Sequence, residues 1–169
     1  LTGWVNARDA GRQPAAMYAM GSLLLAKDDL AGAVKMAEDG LSKYPQSLPV
    51  QTLSLNTITT LLDKNRVEDA ERLISKYPGT SPGLVFQQGA LAFRKGDYPL
   101  AQSLFREAAR RASEKTAESA LFNENLAALN ANDAAGAAAL VKEAAGSAQL
   151  REHILFEPVS YTHLTLPTT

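Results

Sequence analysis

The sequence predicts an all-α chain built as an array of antiparallel helix pairs. Three observations carry this. A small residue opens a helix at Ala33, Ala70, Ala101 and Ala137, at intervals of 37, 31 and 36 residues. Before each lies a short polar break, and before that an apolar stripe at helical spacing. The clearest stretch, 89–109 (GALAFRKGDYPLAQSLFREAA), reads as helix, tight turn and helix. Self-similarity near one period with two helices per period marks a helical repeat array. In that stretch Gly89 and Ala101 would let two helices approach closely, with Tyr98 and Phe105 filling the wedge beside them. Asp97 can cap the second helix, and Pro99 fits its first turn, where a missing N–H costs nothing.

Residues 1–13 read as the remnant of an upstream helix and hold the single tryptophan, Trp4, expected to pack rather than to bind. The first unit spans 14–47. Met17, Met20, Gly21 and Leu24 share a face, Lys27-Asp28-Asp29 breaks the pattern, and Leu30, Ala33, Val34, Ala37 and Leu41 resume it. Tyr44-Pro45 ends that helix, since proline biases the residue before it away from helical angles. The second unit, 48–80, has Leu55, Ile58, Leu61 and Leu62 on one helix and Val67, Ala70, Leu73 and Ile74 on the next. Thr57, Thr59 and Thr60 are poor helix material, but the stripe continues through them. The third unit is 82–115. The fourth, 116–147, places Leu121, Phe122, Leu126 and Leu129 before Asn132-Asp133, then Ala137, Leu140 and Val141. Residues 148–157 begin a further helix. Residues 158–169 (PVSYTHLTLPTT) have no helical period, two prolines and four threonines. They read as unstructured, either a non-native tail from translated adapter sequence or an ordinary disordered terminus.

Composition narrows the function classes. With 17 Lys and Arg against 18 Asp and Glu, the chain lacks the concentrated positive charge that a polyanion or an anionic membrane favours. No cysteine is present, so neither a disulfide framework nor a thiolate metal site is expected. No apolar run of about 18 residues spans a membrane. The sequence opens on Leu1 without a visible signal peptide and is read as a fragment. His153 and His163 have no cysteine or carboxylate cluster beside them, so no metal or cofactor is expected. Asp28-Asp29, Glu68-Asp69 and Asp97 recur at helix starts, which fits capping better than acid–base chemistry. Gly79, Gly83 and Gly89 are too spread for a phosphate loop. No catalytic set is expected.

The third unit resembles the tetratricopeptide repeat family through Gly89, Gly96, Asp97, Tyr98, Ala101, Phe105 and Ala108. The first resembles it through Gly21, Asp29, Leu30, Ala33 and Pro45, with Ala37 where an aromatic is usual. The second unit carries Ile58, and the fourth Asn125, at the small position, and the second unit's second helix is about one turn short. The resemblance covers 14–147. It implies a right-handed superhelical solenoid of about four repeats whose first helices line a concave face.

On that face the resemblance would place Tyr18, Ser22 and Leu25 from the first unit, and Leu55, Thr59 and Leu62 from the second. The third would add Phe86, Ala90, Phe93 and Arg94, the fourth Phe122, Leu126 and Asn130. These aromatics either line a groove for a peptide or helix or pack between neighbouring repeats. Tyr18 and Ser22 stand where the family's clamp for C-terminal carboxylates has polar and basic residues, so tail binding of that kind is not expected. The resemblance implies a non-catalytic protein–protein interaction scaffold with a protein or peptide partner and no nucleic acid. The alanine-rich repeats suggest a bacterial source, in cytoplasm or periplasm. The alternatives are an RNA-binding helical repeat, or an accessory domain of a larger enzyme or of a secretion or assembly protein.

Overall fold

The computed structural model describes residues 12–112, 114–131 and 135. Among them are seven helices and no strand: α1 (Arg12–Ala26), α2 (Leu30–Lys43), α3 (Leu48–Asp63), α4 (Val67–Lys76), α5 (Pro82–Arg94), α6 (Tyr98–Arg111) and α7 (Glu114–Asn130). The all-α expectation holds. Trp4, the second helix of the fourth unit with Ala137, the helix at 148–157, both histidines and the 158–169 tail lie outside the described residues. The chain divides between Gly79 and Thr80 into two compact units, the first holding α1–α4 and the second α5–α7.

One turn geometry recurs three times. In the α1–α2, α3–α4 and α5–α6 turns, the residue two places before the new helix is left-handed: Asp28 (φ 61°), Asn65 (φ 57°) and Gly96 (φ 79°). Its N–H donates three residues back, to the carbonyls of Leu25, Leu62 and Phe93. The next N–H donates five residues back, from Asp29 to Leu24 (2.9 Å), Arg66 to Leu61 (2.8 Å) and Asp97 to Ala92 (3.0 Å). This paired closure satisfies carbonyls that a helix end leaves open. The N-cap angles that follow also agree: φ −83°, ψ 76° at Asp29, φ −86°, ψ 66° at Arg66 and φ −83°, ψ 71° at Asp97.

The caps differ although the backbone does not. The Asp29 carboxylate accepts from the Gly32 N–H at 2.9 Å, and Asp97 from the Leu100 N–H at 3.2 Å. Each such cap stabilises its helix by about 1 kcal/mol. Arg66 has no acceptor to offer the backbone, and its guanidinium binds Asp69 instead. Helix α4 is also shorter than the other two second helices among the described residues, 10 residues against 14 in α2 and α6. Tyr44 and Tyr77 end α2 and α4, each followed by proline.

In the first unit each helix packs on the next and on the next but one. Helix α3 is its centre: Val50, Leu53, Ile58 and Leu61 have no exposed surface. Met17, Ala33, Val34, Ala37, Leu41, Ala70 and Leu73 are among the residues that pack with them in the core. Gly21 permits the approach of α1 to α3, because a Cβ there would lie 2.4 Å from Leu53 Cδ1. The threonine-rich run is helical, as its apolar stripe predicts. The hydroxyls of Thr52, Ser54, Thr57, Thr59 and Thr60 each donate to the carbonyl four residues back, at 2.8–3.0 Å. Ser54 and Thr57 are thereby buried without an unmet hydrogen bond on the hydroxyl.

In the second unit α5, α6 and α7 pack on one another. A Cβ on Gly89 would lie 2.9 Å from Phe105 Cδ1 and Cε1, so the glycine makes room for the ring. Ala101 is fully buried, and Phe105 is 1 % exposed with its ring centroid 5.3 Å from that of Phe86. Glu124, with no exposed surface, is held by Arg106 through Nε (2.7 Å) and Nη2 (2.6 Å). Arg111 reaches back to the Thr80 carbonyl and pairs with Glu107 at 2.8 Å.

Candidate functional site

The side chains expected on an inner face separate into two groups. In the first compact unit (α1–α4) they stay accessible. Tyr18 is 37 % exposed, Ser22 and Leu25 are half-buried one and two turns along α1, and Leu55 is half-buried on α3. Thr59 is exposed, but its hydroxyl is already committed to the Leu55 carbonyl at 3.0 Å. Leu62 is the exception, 3 % exposed and part of the core.

In the second compact unit (α5–α7) the expected groove residues are mostly interior, the packing alternative of the two that the sequence left open. Phe93 (8 % exposed) and Leu126 (2 %) join Ala92, Ala101, Phe105 and Ala127 in one apolar cluster, with Phe86 and Ala90 packed against it. The reason is aromatic packing: the Phe93 ring meets the Tyr98 ring edge-on at 5.2 Å, and Phe86 tilts against Phe105. Arg94 is half-buried at the end of α5. Asn130 is exposed at the end of α7, its Nδ2 donating to the Leu126 carbonyl at 2.8 Å. The side chain of Phe122 lies outside the described residues.

The structure also holds a charged feature that the sequence reading did not anticipate. A hollow of about 230 Å³ opens beside α2 and α4, floored by Leu30, Val34 and Leu61 and edged by charged side chains. Arg72 binds Glu38 through Nε at 3.1 Å and Asp69 through Nη2 at 2.8 Å. Glu38 also takes Lys76 at 3.0 Å, and Asp69 takes Arg66. Partial burial works to raise the Glu38 pKa, but hydrogen bonds from Lys76 and Arg72 and their positive charge outweigh it and hold the carboxyl below its usual value. The hydrogen bond from Arg72 to Glu38, reinforced by Asp69, raises the Arg72 pKa in turn. A second link of the same kind joins two turns, Lys64 to Asp28 at 2.6 Å. The available signal was spacing: Glu38 with Arg72, and Asp28 with Lys64, stand about one repeat apart as opposite charges. Asp69, read as a helix-start acid, is also a member of this network.

Among the described residues no group of three or more His, Cys, Asp or Glu side chains could hold a metal ion. No helix among them is long and apolar enough to cross a membrane. No protein-family model matches the sequence, and no curated protein matches it.

Proposed function

We propose that the chain is a non-catalytic interaction module of tetratricopeptide-like helix pairs, and that it binds a peptide or a helix on the side formed by α1 and α3. Two features of the backbone support the repeat reading. The same turn closes three successive helix pairs. Within each unit, helices contact the next and the next but one, as stacked pairs do.

The observation that carries the binding reading is Tyr18, 37 % exposed on α1. Along the same helix lie Ser22 and Leu25, and the neighbouring α3 adds Leu55 and Thr59. None of these five carries a charge. An exposed tyrosine among half-buried leucines suits an anchor contact, since tyrosine supplies large area at low entropic cost. The partner that fits is a segment with apolar side chains and few charges.

The test uses a photoreactive phenylalanine analogue placed at position 18, with position 43, an exposed lysine at the end of α2, as the control. One protein trapped from position 18 and not from position 43 is the expected result. Its trapping falls when Leu55→Asn is added while the helix signal is unchanged. Equal trapping from the two positions would overturn the assignment.

A further inference from the structure

We propose that the hollow beside α2 and α4 binds a small oxyanion, a carboxylate or phosphate carried on a compact apolar body. Its edge brings Lys35, Arg66 and Arg72 together above a floor of Leu30, Val34 and Leu61. The two carboxylates there, Glu38 and Asp69, leave the lining with three cations against two anions, one net positive charge. Glu38 is further neutralised from outside by Lys76 at 3.0 Å.

The donors are not used up by the internal pairs. A guanidinium has five N–H donors in a fixed fork. Arg72 engages Nε with Glu38 and Nη2 with Asp69, and Arg66 engages Nη2 with Asp69. That leaves Nη1 of Arg72, and Nε and Nη1 of Arg66, for a further acceptor. Lys35 forms no ion pair among the described residues. The carboxylates hold the two arginines in place in the free protein, so a ligand need not bear the full entropy of ordering them. Arginine in a fixed fork suits the paired oxygens of carboxylate and phosphate better than a point charge does. The leucine and valine floor adds a reason for the ligand to carry an apolar body, since covering it removes apolar surface from water.

The experiment follows backbone amide shifts of the full ¹⁵N-labelled chain while sodium phosphate, sodium acetate or sodium chloride is added at matched ionic strength. The expected result is saturable shifts confined to residues 30–38 and 61–72 with phosphate or acetate, and none with chloride. Saturation by phosphate alone assigns a phosphate, and by acetate alone a carboxylate. Lys35→Gln with Arg66→Gln weakens the binding about tenfold or more, the loss expected for two charge-assisted hydrogen bonds. Lys35→Gln by itself, which breaks no ion pair, weakens it as well, so the test survives if the double variant folds poorly. Lys43→Gln, on an exposed lysine away from the hollow, leaves it unchanged. Shifts that track ionic strength whatever the anion, or binding that survives the loss of Lys35 and Arg66, would overturn the proposal.

Discussion

Gly89 and Phe105 form one contact, and a double-mutant cycle on them tests the packing of the second unit. Phe105 is 1 % exposed, so Phe105→Ala removes a buried ring and leaves a cavity, at a cost of about 3–5 kcal/mol. Gly89→Leu gains about 0.8 kcal/mol of helix propensity. It also drives a Cβ to within 2.9 Å of two ring carbons of Phe105, with the rest of the leucine beyond. The ring cannot withdraw freely, because Phe86 lies against it at 5.3 Å between centroids. Overpacking of this kind costs about 1–3 kcal/mol, so the single variant is destabilised on balance. The double variant is the informative one. With the ring gone, the introduced leucine side chain grows into the space it vacated, and both the overpacking and part of the cavity disappear. The two costs should therefore fall short of additivity by about 1–3 kcal/mol. Native-state hydrogen exchange at α5 and α6 amides reads this for the second unit by itself. Additivity within about 0.5 kcal/mol would refute the contact.

Three further predictions rest on the turns and the ion pairs. Asn65→Gly should stabilise the α1–α4 unit by about 0.5–1 kcal/mol in urea unfolding, because Asn65 sits at φ 57°, and Gly96→Ala, at φ 79°, should destabilise the α5–α7 unit by about 1–2 kcal/mol. Glu38 has a folded pKa below its ordinary value, so its contribution to stability is fully present above pH about 4.5 and is lost as pH falls through the folded pKa. Glu38→Gln should accordingly flatten the acid side of the stability profile in thermal melts across pH 2–7, and an unchanged profile would show that the Arg72 and Lys76 contacts contribute nothing.

The helices were legible because their signals are local. Tyr44-Pro45 and Tyr77-Pro78 stop two of them, and Asp29 and Asp97 announce the starts of two others. Gly89 was legible as a close approach, although the approaching group proved to be the Phe105 ring rather than only the opposing backbone. What a face meets was less legible. Phe93 and Leu126 have the spacing of an exposed stripe and of a core stripe alike, and the choice depends on where Tyr98 and α7 pack. The hollow was missed for a related reason. Its residues come from 30–38 and 61–72, and nothing within either stretch marks their meeting. The α3–α4 turn was legible at Lys64-Asn65, although Arg66 stands where the other two turns have aspartate, and the backbone there is the same.

The hydroxyls of α3 have a consequence for how this sequence can vary. Those of Thr52, Ser54, Thr57 and Thr60 are each satisfied inside their own helix, so no neighbouring side chain depends on them. Valine, alanine or isoleucine at such a position removes a donor and asks for no replacement elsewhere. At Ser54 and Thr57 only volume constrains the exchange. The hydropathy of this stretch can therefore drift widely among related chains while the helix and its neighbours stay put, and a polar tally of the segment understates how apolar a surface it offers to whatever packs on it.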